Sequence, residues 1–339
     1  MVRMLDVARL AGVSESTVSH VLNGTRKVRP ATAAAVHGAI QSLGYEPNSV
    51  AQSLARSSTR SIGVALSDLG NHYCAELVQG IEAATSASGY TLLLADTHDS
   101  PVEELQAVRE LQQRRVDGIL LATTVVQPNK SLEHLARHQT PVVLIDRLSS
   151  PAHDQVGVEN RKSTAQLVEH LVALGHVRIG FLRGVDHVAT SRERLDGYQA
   201  GLKKAGLDFV PGLVRNGQSR SGPAREATHE LLQLDVPPTA LIAANNLMTL
   251  GAMRALHESG RRVPDDMAIV SFDDFEWSDI FSPRLTTMAQ PTAEIGTLAV
   301  QLLLKRIDEP DRAPQTIRLK PELRVRDSCG SALGYKLRT

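Results

Sequence analysis

The chain has 339 residues, no net formal charge and 42% apolar residues, which suits two or three folding units rather than one core. Its two cysteines, Cys74 and Cys329, exclude a disulfide framework and a multi-cysteine zinc site. The N-terminus has no apolar signal-type run, and no segment approaches the roughly 20 apolar residues of a membrane span, so a cytoplasmic protein is expected. Charge is nonetheless uneven. In the first 60 residues Arg3, Arg9, Arg26, Lys27, Arg29, Arg56 and Arg60 face Asp6, Glu15 and Glu46, a balance of 7 − 3 = +4. A basic head on a mildly acidic body points to a polyanion partner for the head alone.

Residues 1–46 read as a small helical module. A short helix over residues 5–11 is stopped at Gly12. Ser14 is a good N-cap for a second helix, in which Thr17, Val18, Val21 and Leu22 share one face. Two such helices joined across Gly12 and Val13 make a helix-turn-helix pattern. A third helix starts near Pro30, buries Val36, Ile40 and Leu43, and ends at Gly44. In a helix-turn-helix the second helix enters the major groove by its N-terminal residues. That rule puts Glu15, Ser16, Ser19 and His20 at base edges and Ser14 and Thr17 near phosphate, with Asn23 further along the same helix. On pattern alone a plain helical bundle with a polar surface is an equal alternative.

Residues 47–60 form a joint. Asn48 can cap a helix over residues 49–55, which is well short of the ~12–15 residues an isolated helix needs in water. Val50, Ala51 and Leu54 make an apolar stripe at i, i+1 and i+4 that a plain linker does not need.

The body, residues 61–339, alternates strands and helices. Buried strands are predicted at residues 62–66, 92–95, 118–121 and 142–145, with a helix around residues 76–88. The alternation argues for a parallel sheet with right-handed crossovers. The order then restarts: Ile179-Gly180-Phe181-Leu182 repeats Ile62-Gly63-Val64-Ala65 at an offset of 179 − 62 = 117, and Gly197 and Gly206 repeat Gly80 and Gly89. Strands at residues 240–243 and 268–272 complete a second lobe, with Asp146 and Asp273 at equivalent strand ends. An amphipathic helix over residues 295–307 belongs to the first lobe, reached by a crossing near Gln290-Pro291.

Ligands of open parallel sheets bind at the carboxyl ends of the strands, and two facing lobes make a cleft that can close on a small molecule. Asp146, Arg147, Asn245, Asn246 and Asp273 emerge there, with Asn71, His72 and Tyr73 after the first strand and Thr190, Arg192 and Arg194 in the second lobe. Short carboxylates, amides and a guanidinium can bind several hydroxyls at once, which suits a sugar or polyol. Phe272 or Trp277 could supply an apolar floor. Either Asp could instead cap the next helix. His98 between Asp96 and Asp99 reads as a solvated loop, not a metal site, and no cofactor is expected. Walker and dinucleotide fingerprints are missing, as is a nucleophile signature, which argues against an enzyme.

Leu5-Asp6-Val7-Ala8-Arg9-Leu10-Ala11-Gly12-Val13-Ser14, Thr17-Val18-Ser19-His20-Val21-Leu22-Asn23-Gly24 and Leu43-Gly44-Tyr45-Glu46-Pro47-Asn48 together resemble the N-terminal signature of the lactose-repressor-type (LacI/GalR) family of bacterial transcription regulators. The likeness continues through the body in Val116-Asp117-Gly118-Ile119-Leu120, Asp146-Arg147, Val263-Pro264-Asp265-Asp266, Phe272-Asp273-Asp274 and Pro283-Arg284-Leu285-Thr286-Thr287. It implies an all-α helix-turn-helix head on an α/β body of the periplasmic-binding-protein type, with two doubly wound parallel-sheet lobes. The expected divisions are residues 1–46, a hinge at 47–60, a first lobe of 61–160 with 291–320, and a second lobe of 161–290 with 321–339. By the same resemblance a homodimer binds a pseudo-palindromic DNA operator. The hinge carries Asn48 and Ala51 into the minor groove, and Leu54 stands where the family's leucine wedges a base step. Arg194, Asn245 and Asp273 match effector-contacting positions.

The function so implied is a transcriptional regulator, a repressor by expectation, set by a sugar or sugar derivative bound between the lobes. The alternative is a transport-type sugar receptor, for which the basic head has no use. Three features depart from the family pattern. His20 stands where many members have Arg, Asn246 where they have Asp, and Ala33, Ala34 and Ala35 leave the third helix without basic residues often found there.

Overall fold

A computed structural model of the chain describes residues 2–24, 26–45, 58–125 and 128–331. The hinge candidates Asn48, Ala51 and Leu54 lie outside the described residues. Two compact units emerge: residues 1–61 with 115–117, and residues 62–114 with 118–339.

In the first unit, α1 (Met4–Ala11), α2 (Glu15–Asn23) and α3 (Pro30–Leu43) form a three-helix module. Gly12 ends α1 at φ +66°, a left-handed turn that a side chain would strain, and this lets α2 begin three residues later. Ser14 then caps α2, its Oγ accepting from the Thr17 amide at 3.2 Å. Val7, Ala8, Val18, Val36, Ala39 and Tyr45 are the buried core. The third helix thus buries Val36 and Ala39, while Ile40 and Leu43 pack half-buried at its edge.

Residues 58–60 are gathered around one carboxylate. Asp117 accepts from the Ser58 hydroxyl, from the Thr59 amide at 2.9 Å and hydroxyl at 3.2 Å, and from the Arg60 amide at 3.0 Å. Its own amide donates to the Ser61 carbonyl at 2.8 Å.

The second unit holds two six-stranded sheets. In the first, the order is β11-β5-β4-β3-β1-β2, with β1 (Ser61–Leu66), β2 (Thr91–Asp96), β3 (Gly118–Leu121), β4 (Val142–Asp146), β5 (Asp154–Val158) and β11 (Thr316–Leu319). The second runs β12-β10-β9-β8-β6-β7, built from β6 (Ile179–Arg183), β7 (Val214–Asn216), β8 (Ala240–Ala243), β9 (Ala268–Phe272), β10 (Thr286–Ala289) and β12 (Glu322–Arg324). The order is the same in both sheets, and β1 pairs β3 from Ile62↔Gly118 just as β6 pairs β8 from Ile179↔Ala240. These pairs are parallel, as parallel strands buried on both faces require. The edge strand β12 runs antiparallel to β10.

Connectivity exchanges helices between the lobes. After β5 the chain enters α7 (Asn160–Ala173), which packs on α8 (Ala189–Lys204), the first helix of the second lobe. After β10 it returns as α11 (Thr292–Asp308) against α4 (His72–Ala87), the first helix of the first lobe. Both contacts are notched by glycine. A Cβ on Gly80 would stand 2.8 Å from Ala293 Cα, and one on Gly197 would stand 2.3 Å from the Arg161 carbonyl oxygen. The repeat at an offset of 117 therefore marks two equivalent close helix contacts. The remaining helices are α5 (Pro101–Gln113), α6 (Lys130–Arg137), α9 (Ser221–Leu232) and α10 (Asn246–Glu258). Among the described residues no helix is long and apolar enough to cross a membrane.

Candidate functional site

A cavity of about 250 Å³ opens between the carboxyl ends of the two sheets. Its lining is polar. From the first lobe come Ser67, Asp68, Asn71, Tyr73, Cys74, His98, Asp99, Asp146 and Arg147. The second lobe supplies Thr190, Ser191, Arg194, Ser219, Arg220, Asn245 and Asp273, and Gln290 lies at the crossing to α11.

Asp146 and Asp273 occupy the ends of β4 and β9 with left-handed backbones, at φ +63° and +72°. Asp tolerates this region better than most residues, at a cost on the order of 1 kcal/mol or more. The reversal turns both carboxylates into the space between the lobes. Neither is the N-cap residue of the helix that follows it, although Asp273 accepts weakly from the first amide of the Asn246–Glu258 helix. Asp146 accepts from the Tyr73 hydroxyl at 2.8 Å, and Asp273 accepts from Gln290 Nε2 at 2.6 Å and from the Asn246 amide at 3.4 Å.

Each carboxylate has a buried guanidinium beside it. Arg147 lies 2.7 Å from Asp99 and 3.7 Å from Asp146, and donates to Ser67 Oγ at 3.0 Å. Arg194 donates to Asn160 Oδ1 at 2.8 Å and to the Ala244 carbonyl at 2.6 Å, and its Nη2 stands 3.8 Å from Asp273. The guanidinium carbon of Arg194 is 3.7 Å from the centroid of the Phe272 ring, a stacked cation–π contact. Burial raises the pKa of Asp273 above the usual carboxylate range, against the opposing pull of Arg194. Burial, with Asp146 and Asp273 nearby, likewise raises the Tyr73 phenol, so this hydroxyl stays a proton donor. The Cys74 thiol is raised by burial and is a poor nucleophile.

The structure brings Tyr73, Asp146, Thr190, Arg194, Asn245 and Asp273 to one cavity. It does not bring Phe272 or Trp277 there as a floor. Phe272 is fully buried beneath Arg194, because the reversal at Asp273 leaves the preceding side chain facing the interior. Trp277 sits in the turn Glu276–Asp279, half-exposed, against Phe275 and His72. Asp68, Asp99, Ser191, Ser219, Arg220 and Gln290 line the cavity without having been singled out in the sequence. Asp99 follows β2 and was open to the same strand-end rule, whereas Gln290 needed the crossover geometry. Asn245 caps α10, its Oδ1 accepting from the Met248 amide at 2.8 Å, and its Nδ2 donates to the Ser219 carbonyl at 3.1 Å. His98 stands at the rim, 3.3 Å from Asp96 and 3.7 Å from Glu103. Among the described residues no group of three or more His, Cys, Asp or Glu could hold a metal ion.

In the head, Glu15 and Ser16 are exposed at the start of α2, beside Ser14 and Thr17. The Ser14 hydroxyl shares hydrogen bonds with Ser16 at 2.8 Å and Thr17 at 2.9 Å. One turn on, Asn23 Nδ2 donates to Ser19 Oγ at 3.1 Å, with His20 half-buried between them. These side chains form one polar surface along α2.

Residues 3–48 match the family model described as bacterial regulatory proteins, lacI family, and residues 168–329 match a periplasmic binding protein-like domain. The chain is 34% identical to the HTH-type transcriptional repressor PurR of Aliivibrio salmonicida (strain LFI1238), over 97% of this chain and 99% of that protein. It is 36% identical to the ribose operon repressor of Escherichia coli (strain K12), over 97% of this chain and 100% of that one. A crystal structure of the Lac repressor dimer bound to operator and the anti-inducer ONPF superposes with a TM-score of 0.87 at 31% identity, covering 97% of this chain and 99% of that chain.

Proposed function

The chain belongs to the lacI family of bacterial regulatory proteins, and from that premise we propose that its operator affinity is set by a small sugar held between the two lobes. It is a ligand-responsive, DNA-binding transcriptional repressor. One observation carries the choice of ligand. The cavity of about 250 Å³ lies just below the usual ~300–1,000 Å³ of ligand pockets, and carboxylates, guanidinium groups and amides alternate around it. A monosaccharide presents hydroxyls that both donate and accept, which such a lining can satisfy in a small volume. The likeness to a ribose operon repressor favours a pentose within that class.

A homodimer places two heads on a pseudo-palindromic operator, as two-fold symmetry demands. The polar side chains of α2 from Ser14 to Asn23 read the major groove, with His20 making a single hydrogen bond where an Arg would make two. Asn48, Ala51 and Leu54 enter the minor groove, Leu54 as the wedge. Counting about four phosphate contacts per head, the log–log salt slope is about −7. The cycle contains no catalytic step, and we place the protein in the cytoplasm with its DNA.

A thermal-shift screen of the full chain against D-ribose, other pentoses, hexoses, sugar acids and nucleosides tests the reading. A ligand at about 100 times its Kd adds about 2.7 kcal/mol, roughly 5 °C for a body of this size. The hit must also change operator affinity in a gel shift. If only nucleosides stabilise the chain, or if a stabilising sugar leaves operator affinity untouched, the reading fails.

A further inference from the structure

Asn246 is not among the residues that line the cavity, yet it bonds one lobe to the other. Its Nδ2 donates to Asn71 Oδ1 at 2.7 Å, joining the start of α10 in the second lobe to the start of α4 in the first. The direction of this bond is dictated at both ends. Asn71 Oδ1 also caps α4, accepting from the Tyr73 amide at 3.0 Å, so flipping that amide would forfeit the cap. Asn246 Oδ1 accepts from the Leu247 amide at 2.8 Å, which fixes its own flip. The oxygen of residue 71 and the nitrogen of residue 246 are therefore the only pair of ends that can meet. Asn246 is 4% exposed and Asn71 is half-buried, so the donor end of the bond is withdrawn from water. One residue along α4, the His72 ring lies 5.8 Å from Trp277, a second contact between the same two lobes.

We propose that Asn71 and Asn246 form a latch that closes the cleft before any ligand enters, so that the amide at residue 246 sets how much of the empty protein is ready to bind. The proposal concerns regulation of the cleft and depends on the sugar reading only where affinity is invoked. A carboxylate at residue 246 could still accept from the Leu247 amide, but its second oxygen would face the pinned oxygen of Asn71. A carboxylate at residue 71 could accept from both Tyr73 and Asn246. The same chemical exchange thus has opposite effects on the two sides.

The test uses the full chain without ligand, spin-labelled at Glu103→Cys in the first lobe and Glu226→Cys in the second, both exposed positions. Cys74 and Cys329 are buried, and labelling of the unsubstituted chain checks that they stay unlabelled. Pulsed electron–electron distance measurement should give a short, narrow distribution for the parent. Asn246→Asp should move it to longer distances, whereas Asn71→Asp should keep it short. Asn246→Ser, which withdraws the donor without adding charge, should open the cleft too, and it serves if the Asp variant does not fold. If the Asp variant at residue 246 falls to about one-tenth closed, apparent D-ribose affinity measured by calorimetry drops about tenfold. Unchanged distances in Asn246→Asp and Asn246→Ser would overturn the latch, as would equal opening by the two Asp variants. A parent that binds no D-ribose while the distances behave as stated would retire the sugar choice and leave the latch standing.

Discussion

Replacing Arg194 with Met keeps an unbranched stem but shortens the side chain and removes its charge. Four interactions vanish: the bond to Asn160 at 2.8 Å, the bond to the Ala244 carbonyl at 2.6 Å, the ion pair with Asp273 at 3.8 Å and the cation–π contact with Phe272 at 3.7 Å. The shorter Met stem keeps part of the packing beside Phe272. The larger cost is Asp273, which is 4% exposed and keeps only Gln290 and one long backbone contact. Stranding a buried charge in this way costs about 3–5 kcal/mol. A carboxyl has an escape, because it can take up a proton. Burial already raises the pKa of Asp273 while Arg194 lowers it, so the Met variant raises it further. A carboxyl raised in the folded state gives stability that is full below the unfolded value of about 3.9 and is lost as pH climbs through the folded value. The deficit of the variant relative to the parent should therefore be about 3–5 kcal/mol at pH 8 and clearly smaller at pH 5. Urea unfolding at the two pH values measures both. An equal deficit at pH 5 and pH 8, or one below about 1 kcal/mol at pH 8, would refute the claim that Arg194 opposes the rise that burial imposes on the Asp273 pKa.

Two further outcomes rest on other clusters. Asp117→Ala removes the acceptor shared by Ser58, Thr59 and Arg60, so amide exchange at residues 59 and 60 should speed at least tenfold, and the response of operator affinity to ligand should shrink; unchanged exchange would show that the carboxylate does not fix this segment. At Asp274 burial opposes ionisation, but hydrogen bonds from Arg326, Thr287 and Arg324 outweigh it and hold the pKa at about 2. A depressed carboxyl gives stability above its unfolded value that is lost as pH falls through the folded one, so Asp274→Asn should cost about 2 kcal/mol at pH 7 and progressively less from about pH 4 down to pH 2, read by urea titration across that range.

The strand-end carboxylates were legible because two independent signals met on them. Strand ends of parallel sheets are where ligands bind, and Asp146 and Asp273 fall at matching points of an internal repeat. Gly80 and Gly197 were visible as a repeat but not as helix contacts, since nothing in either local window names the helix that packs there. The strands β5, β7, β10, β11 and β12 escaped notice. They are three to five residues long, and several lie at sheet edges, where a buried apolar run is not required. Phe272 and Trp277 were expected as a floor on residue type alone. Facing is decided by the left-handed reversal at residue 273, which no pattern of hydrophobicity records. Likewise Asp117 looks like an ordinary residue before a strand, and only its contacts across 57 to 59 positions of chain reveal it as an anchor.

Gln290 lies both in the cavity wall and at a crossover, and Asn160, at another crossover, bonds the cavity residue Arg194. Glycine notches let α4 pack closely on α11 and α7 on α8, and the two lobes are joined by the connections after β5, β10 and β11. Asn160, the first residue of α7, stands at the first connection. It holds Arg194 through Oδ1 at 2.8 Å and Glu193 through Nδ2 at 2.9 Å. Gln290, at the second, holds Asp273 at 2.6 Å. Under the proposed function, a ligand bound to Arg194 or Asp273 acts on groups bonded to the connections between the lobes. Differential contact with the closed arrangement is the only way a ligand can shift such an equilibrium, and here the contacts with ligand and with connection lie on one side chain. Coupling of about 1–3 kcal/mol between cleft and operator, typical of such linkage, then needs no long chain of intermediates inside the body. Under the proposed function it needs only Arg194 and Asp273, each lining the cavity and each bonded to a residue at a crossover.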